Sequence, residues 1–210
     1  MPEHELLRVY DANLECLGEK PRSAVHRDGD WHLTFHGWVV DPNQGGALIL
    51  QRRGRTHRNY PGLFDVSAAG HYLAGENGLD GMRELEEELG VRASAGQVYH
   101  LGVRTSVCIT DQLRDFEFQD VYAIVDGRRL SEYRPDPDEV DGVAWVRLAD
   151  GMALAEGRVA SIRVPFLRAF DRQLTEESLA LTDIMPSKDK YFLKMLIMAS
   201  RIRDGQSAAV

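Results

Sequence analysis

"GHYLAGENGLDGMRELEEELGV", residues 70–91, is the stretch on which the reading of the chain turns. Met82, Leu85 and Leu89 recur at i, i+3 and i+7, which predicts a helix over 79–89 with one apolar stripe. Gly90 stands where a helix-ending glycine is expected. On that helix Glu84, Glu87 and Glu88 fall at i, i+3 and i+4 and share a face away from the stripe, with Glu86 to the side. On an exposed helix such like-charge pairs cost only about 0.2–0.5 kcal/mol each, and a solvated surface tolerates them. In a cleft the balance shifts, because two unit charges ~4 Å apart repel by about 4 kcal/mol at an effective dielectric near 20. Three carboxylates beside a phosphate group then require cations, and Mg²⁺ takes carboxylate and phosphate oxygens together. Arg83, an i,i+4 neighbour of Glu87, can orient a carboxylate by bidentate bonding.

Outward from this helix the chain alternates strands and turns. "WHLTFHGWVV" (31–40) and "ALILQRR" (47–53) read as strands joined by the turn "DPNQGG" (41–46), a hairpin. "LLRVYD" (6–11) reads as a short strand followed by a turn at 18–21, and "LFDVSAAG" (63–70) as another short strand. "VYHLGVRTSVCI" (98–109), "FEFQDVYAIV" (116–125) and "VDGVAWVRL" (140–148) read as three more. After residue 150 the pattern changes. "RVASIRVPFLRAFDRQL" (158–174) and "KDKYFLKMLIMASRI" (188–202) read as helices separated by Pro186, the second with an apolar face of Phe192, Met195, Leu196, Ala199 and Ile202. Strands around one helix, followed by more helices, predict an α/β or α+β sandwich.

Composition bounds the function. The chain has 210 residues, 43% of them hydrophobic and 28% charged, as in ordinary globular proteins. A formal net charge of −8 argues against non-specific binding to nucleic acid or to anionic membranes. Two widely separated cysteines, Cys16 and Cys108, fit neither a disulfide framework nor a zinc ribbon. The start, "MPEHELLRVY", has no basic n-region and no apolar h-region, and no apolar run approaches the ~18 residues of a membrane span. A cytoplasmic protein is expected.

The residues also carry a resemblance. The segment 70–91 resembles the Nudix box: Gly, five residues, Glu, seven residues, then Arg-Glu-aliphatic-x-Glu-Glu-x-Gly-aliphatic. Gly70 and Glu76 match its first half, and Arg83, Glu84, Leu85, Glu87, Glu88, Gly90 and Val91 its second. At roughly 6% background per residue, the five polar and glycine tokens from Arg83 to Gly90 arise by chance on the order of once in a million positions. Six residues rather than seven separate Glu76 from Arg83. The shortfall lies in "NGLDGM" (77–82), where Gly78 and Gly81 weaken a helix start. A late helix start, with the loop absorbing the missing residue, is expected. The resemblance implies a Nudix α/β/α sandwich with a mixed sheet over residues 1–150, and a C-terminal helical extension (151–210) is read as packed on it. It also implies Mg²⁺- or Mn²⁺-dependent attack of water on a diphosphate, with Glu84, Glu87 and Glu88 as metal ligands and Glu84, Glu88, Glu117 and Arg83 in the catalytic machinery.

The flanks look like the branch that includes type I isopentenyl diphosphate isomerases, and closer still like related Nudix hydrolases acting on isopentenyl diphosphate. In the isomerases a metal is held by three histidines and two acids, whose counterparts here are His26, His32 and His71 with Asp115 and Glu117. As a strand, 116–125 and its lead-in put Asp115 and Glu117 on one face with Phe116 turned away. The isomerases place a catalytic cysteine just before the Gly-His pair, where this chain has "FDVSAAGH" and no thiol. Alkene isomerisation needs a matched acid and base, so this loss favours hydrolysis. "QRRGRTHR" (51–58) concentrates Arg52, Arg53, Arg55 and Arg58 in an acidic protein. Arginine forks match phosphate oxygens, which makes Arg53, with Arg52 and Arg58, the candidate diphosphate contacts. The expected partner is a small-molecule diphosphate, a nucleoside diphosphate derivative or an isoprenoid diphosphate, with no membrane and no stable nucleic-acid partner. The alternatives are an isomerase and a non-catalytic ligand-binding module of the same fold, with the C-terminal helices as a homodimer or partner surface.

Overall fold

The computed structural model describes residues 5–55, 59–110 and 113–209. Strands β1 (Leu6–Tyr10) and β2 (Cys16–Pro21) form a hairpin and lead into helix α1 (Arg22–Asp28). Then come β3 (Trp31–Asp41), β4 (Ala47–Arg53), β5 (Phe64–Asp65) and β6 (Ala68–His71). A 3₁₀ turn over Gly78–Met82 runs into helix α2 (Arg83–Leu89). Strands β7 (Val98–Ile109), β8 (Arg114–Val125) and β9 (Val140–Arg147) follow, then α3 (Leu148–Ala155), β10 (Ser161–Arg168), β11 (Leu174–Ala180) and α4 (Tyr191–Arg203). Among the described residues no helix is long and apolar enough to cross a membrane.

β3 is the hub of one mixed sheet. It pairs in parallel with β8 from Trp31↔Phe116 to Val40↔Val125. Along its other edge it pairs antiparallel with β1, β6 and β4 in turn. β4 continues through β9 and β10 to β11. Side chains alternate across β3 and β4 as strand geometry requires. Phe35, Val39 and Ile49 join Leu85 and Leu89 of α2 on one face. Trp38, Val40, Leu48 and Leu50 join Phe192, Met195, Leu196, Ala199 and Ile202 of α4 on the other. The sheet is thus sandwiched between helices, and the apolar face expected for the last helix is wholly buried.

Two local expectations are corrected. Residues 158–174 were expected to be helical; they instead supply β10 and lead into β11, a hairpin that widens the sheet. Pro165 costs about 3 kcal/mol inside a helix, and Ile162, Val164 and Phe166 repeat with period two. The turn expected at 18–21 lies earlier, where the Asp11 carboxylate accepts hydrogen bonds from the backbone N–H groups of Asn13 and Glu15, and 16–21 is strand β2.

Candidate functional site

α2 supplies the core of the site. Glu84 is 3% exposed and Glu88 6%, while the Glu87 side chain is 60% exposed at the rim. Glu84 lies against Gly70 of β6, so closely that any side chain there would overlap its carboxylate. Glu88 accepts from Gln51 Nε2 at 3.1 Å and from the backbone N–H of Ala69. Gly90 ends the helix at φ 66°, in the left-handed region that glycine adopts freely.

The shortened loop is braced by the pair that brackets it. Arg83 donates to both Glu76 oxygens, at 2.7 and 3.2 Å, and to the His71 carbonyl at 3.0 Å. Its remaining guanidinium nitrogen lies 2.7 Å from Glu84 Oε1 and 3.2 Å from Glu87 Oε2. Glu76 also accepts the Leu73 N–H at 2.8 Å. The missing residue is absorbed by the 3₁₀ turn, where Asp80 accepts the Asn77 N–H at 3.0 Å.

The helix face opens on a cavity of about 400 Å³ lined by Arg83, Glu84, Glu87, Glu88 and His71, together with Glu5, Asp136 and Glu139. The last three were not singled out from the sequence. Asp136 and Glu139 arrive because their loop caps α2, with Arg134 N–H donating to Leu89 O and Asp136 N–H to Glu88 O. The acidic run "DPDEVD" (136–141) was the signal available for them. Burial, and then Glu87, push the Glu84 carboxyl up to about 7 against the pull of Arg83. Burial, then Glu84 and Glu139, push Glu88 well above the usual carboxylate range.

A second group adjoins the first through His71. His26 from α1, His32 from β3 and His71 from β6 bring their rings to 5.1–5.2 Å between centroids. His26 Nε2 lies 3.3 Å from His71 Nε2 and 3.5 Å from Asp115 Oδ1. His32 Nε2 and Asp115 Oδ1 face each other at 3.4 Å, both buried and without a hydrogen bond among the described residues. His32 Nδ1–H donates to Asp30 O at 3.1 Å, which leaves Nε2 as the lone-pair nitrogen. Burial holds His26 down to about 4 and lowers His32 and His71 as well, so these imidazoles are neutral near pH 7. Glu117, level with His32 in the β3–β8 ladder, is raised to about 8 by burial and then by Asp115. Phe116 turns away onto Trp31. His26, His32 and His71 form one cluster, and His32, Asp115 and Glu117 another, each with ligand atoms within 4.8 Å of one another. Neutral imidazoles, carboxylates and orphaned buried acceptors suit a divalent cation.

The arginines divide. Arg53 donates to Asp65 Oδ2 at 3.0 Å and to the Asn59 carbonyl. Arg52 lies 4.2 Å over the Phe166 ring and 3.7 Å from Asp141 and Glu177, toward the β10–β11 hairpin. The exposed Arg55 lies 3.5 Å from Asp141. Arg58 lies outside the described residues. Among the residues lining the cavity, Arg83 supplies the permanent positive charge.

The NUDIX domain model matches residues 30–170. The chain belongs to the NUDIX family. It is 32% identical over 161 residues to an uncharacterised Nudix hydrolase of Clostridium acetobutylicum, covering 76% of this chain and 78% of that one. It is 33% identical over 160 residues to an isopentenyl-diphosphate Delta-isomerase of Cutibacterium acnes, covering 72% and 78%. The solved structure of DR0079 from Deinococcus radiodurans superposes with a TM-score of 0.54 at 22% identity, over 73% of this chain and 90% of that one, a likeness of fold. The NUDIX membership and the hydrolase relatives support the enzyme class expected from the sequence, a hydrolase acting on diphosphate bonds. Within this NUDIX chain the residue before Gly70 is Ala69, while Cys108 sits opposite Asp115 across the β7–β8 ladder and shares its face.

Proposed function

We propose that the chain is a Mg²⁺- or Mn²⁺-dependent hydrolase that cleaves a diphosphate linkage in a small organic substrate by attack of water. The substrate is a nucleoside diphosphate derivative or an isoprenoid diphosphate. The carrying observation is that two buried box carboxylates, Glu84 and Glu88, open with His71 onto one acidic cavity. A diphosphate enters such a cavity only with cations to offset the repulsion.

In this reading Glu84 and Glu88 hold one ion, with Glu87 reaching in from the rim. His26, His32, His71, Asp115 and Glu117 hold another. A bound divalent ion lowers the pKa of water and neutralises phosphate oxygens. Arg83 fixes Glu84 and Glu87, Glu117 or Glu84 takes the proton of the attacking water, and Arg53 is the first candidate for a phosphate contact, with Arg52 and Arg58 behind it.

The test is a panel of nucleoside and isoprenoid diphosphates with Mg²⁺ or Mn²⁺, on wild type and Glu88→Gln. Wild type releases phosphate or nucleotide from at least one substrate, and Glu88→Gln is slower by roughly 10³-fold, several kcal/mol of lost metal stabilisation. No release from any substrate sinks the hydrolase reading, and an unimpaired Glu88→Gln sinks the ligand assignment. A second reading, isomerisation of isopentenyl diphosphate, draws on Cys108 sharing a face with Asp115. Alkene position in the products separates the two readings.

A further inference from the structure

On the α4 face of the sheet a row of polar contacts runs from the C-terminal segment into the site. Asp189, just before α4, accepts from Arg104 Nε at 2.9 Å and from Arg104 Nη2 at 2.7 Å, a bidentate pair joined by Lys194 Nζ at 2.9 Å. Arg104 holds the Asp189 carboxyl well below the usual carboxylate range. The guanidinium also lies 4.2 Å over the Tyr191 ring. Tyr191 in turn accepts the Trp38 indole N–H at 2.9 Å, so the row is packed into the core. The third Arg104 nitrogen donates to Gln119 Oε1, its cross-strand partner. Arginine has donors and no acceptor, so it selects the carbonyl oxygen of Gln119 and turns the amide nitrogen the other way. That nitrogen donates to Glu117 Oε2 at 2.6 Å.

We infer that Asp189, Arg104 and Gln119 are positioning residues through which the C-terminal segment orients the Glu117 carboxylate. Asp189 lies beyond residue 170, outside the part of the chain that matches the family model. Residues past the NUDIX match therefore help to build the site as well as the core. The inference rests on the reading of Glu117 as part of the ion-holding group. Partners of this kind typically change metal affinity by about 10–100-fold, because they fix the orientation of the ligand.

The test is Mn²⁺ titration of the metal-free full chain by calorimetry, without substrate. The variants are Gln119→Leu, Arg104→Met and Asp189→Asn, each alone and with Glu117→Gln, with thermal unfolding confirming that each is folded. Arg104→Met keeps a long side chain over Tyr191, and Asp189→Asn keeps the shape of the acid, so a fold failure in one leaves the others to decide. Each single variant weakens Mn²⁺ binding about tenfold or more. None weakens it further once Glu117 is glutamine. Wild-type affinity in the folded single variants, or the same loss repeated in the Glu117→Gln background, overturns the relay. Wild type that binds no Mn²⁺ overturns the ion-holding group and the relay together, so the two failures are told apart.

Discussion

A β-carbon at position 70 would sit 2.6 Å from Glu84 Oε2 and closer still to Oε1. The box glycine therefore has a steric reason: its bare backbone is the floor on which the Glu84 carboxylate rests. Gly70→Ala is expected to displace Glu84 and to lower kcat/KM by about 10²-fold, the cost of roughly 1 Å of misplacement at a reacting centre. Steady-state kinetics on the best diphosphate substrate measure it, and an unchanged kcat/KM would show that Glu84 is not needed where it lies. At this scale much was legible. Arg83, Glu84, Glu88 and Gly90 were readable because the helix fixes their spacing, and Gly70 and Glu76 because they match the first half of the box pattern. Glu5, Asp136 and Glu139 were not, because loop geometry brings them to the cavity and no short-range period announces it. Arg52 alternates to the opposite face of β4 from Gln51 and lies over the Phe166 ring.

At the scale of elements, the 3₁₀ turn Gly78–Met82 explains how a box one residue short stays closed. Gly81 packs against Phe35, where an added β-carbon would lie 2.7 Å from the ring and from the Phe35 β-carbon. The glycine that looked like a weak helix start is instead what lets the tight turn sit on the core. Gly81→Ala is expected to destabilise the fold by about 1–3 kcal/mol, as overpacking does. Urea unfolding reads this directly, and a variant as stable as wild type would mean that the turn adjusts without cost. The misread element was 158–174. Alternating Ile162, Val164 and Phe166 carried strand period, but the apolar residues that follow also fit a helix, and Pro165 was the deciding residue. The helix at 191–203 was legible because every residue of its apolar stripe is buried.

At the scale of the whole molecule, the buried acids Glu84, Glu88 and Glu117 and three histidines fall in adjoining groups, which makes its stability depend on pH and on metal together. Glu84 and Glu117 have folded-state values of about 7 and about 8, above the ordinary carboxylate value, and Glu88 is raised as well. A raised carboxyl stabilises the fold while it is protonated, and that contribution is lost as pH rises through the folded value. His26, His32 and His71 are lowered, so their contribution is present above the ordinary histidine value of 6.5 and is lost as pH falls below it. Between roughly pH 4.5 and 6.5 the two sets oppose each other. Above pH ~6.5 the histidines are neutral in both states, and the carboxylates alone set the slope. The metal-free protein is therefore expected to lose stability from pH 6.5 to pH 8. Mn²⁺ offsets the charge of the ionised acids, so it should raise Tm more at pH 8 than at pH 6.5, by linkage to the folded state. Thermal unfolding at both pH values, with a chelator and with excess Mn²⁺, gives four midpoints. A chelated protein at least as stable at pH 8 as at pH 6.5, or an Mn²⁺ shift no larger at pH 8, would mean that these carboxylates neither repel in the empty fold nor share a cation.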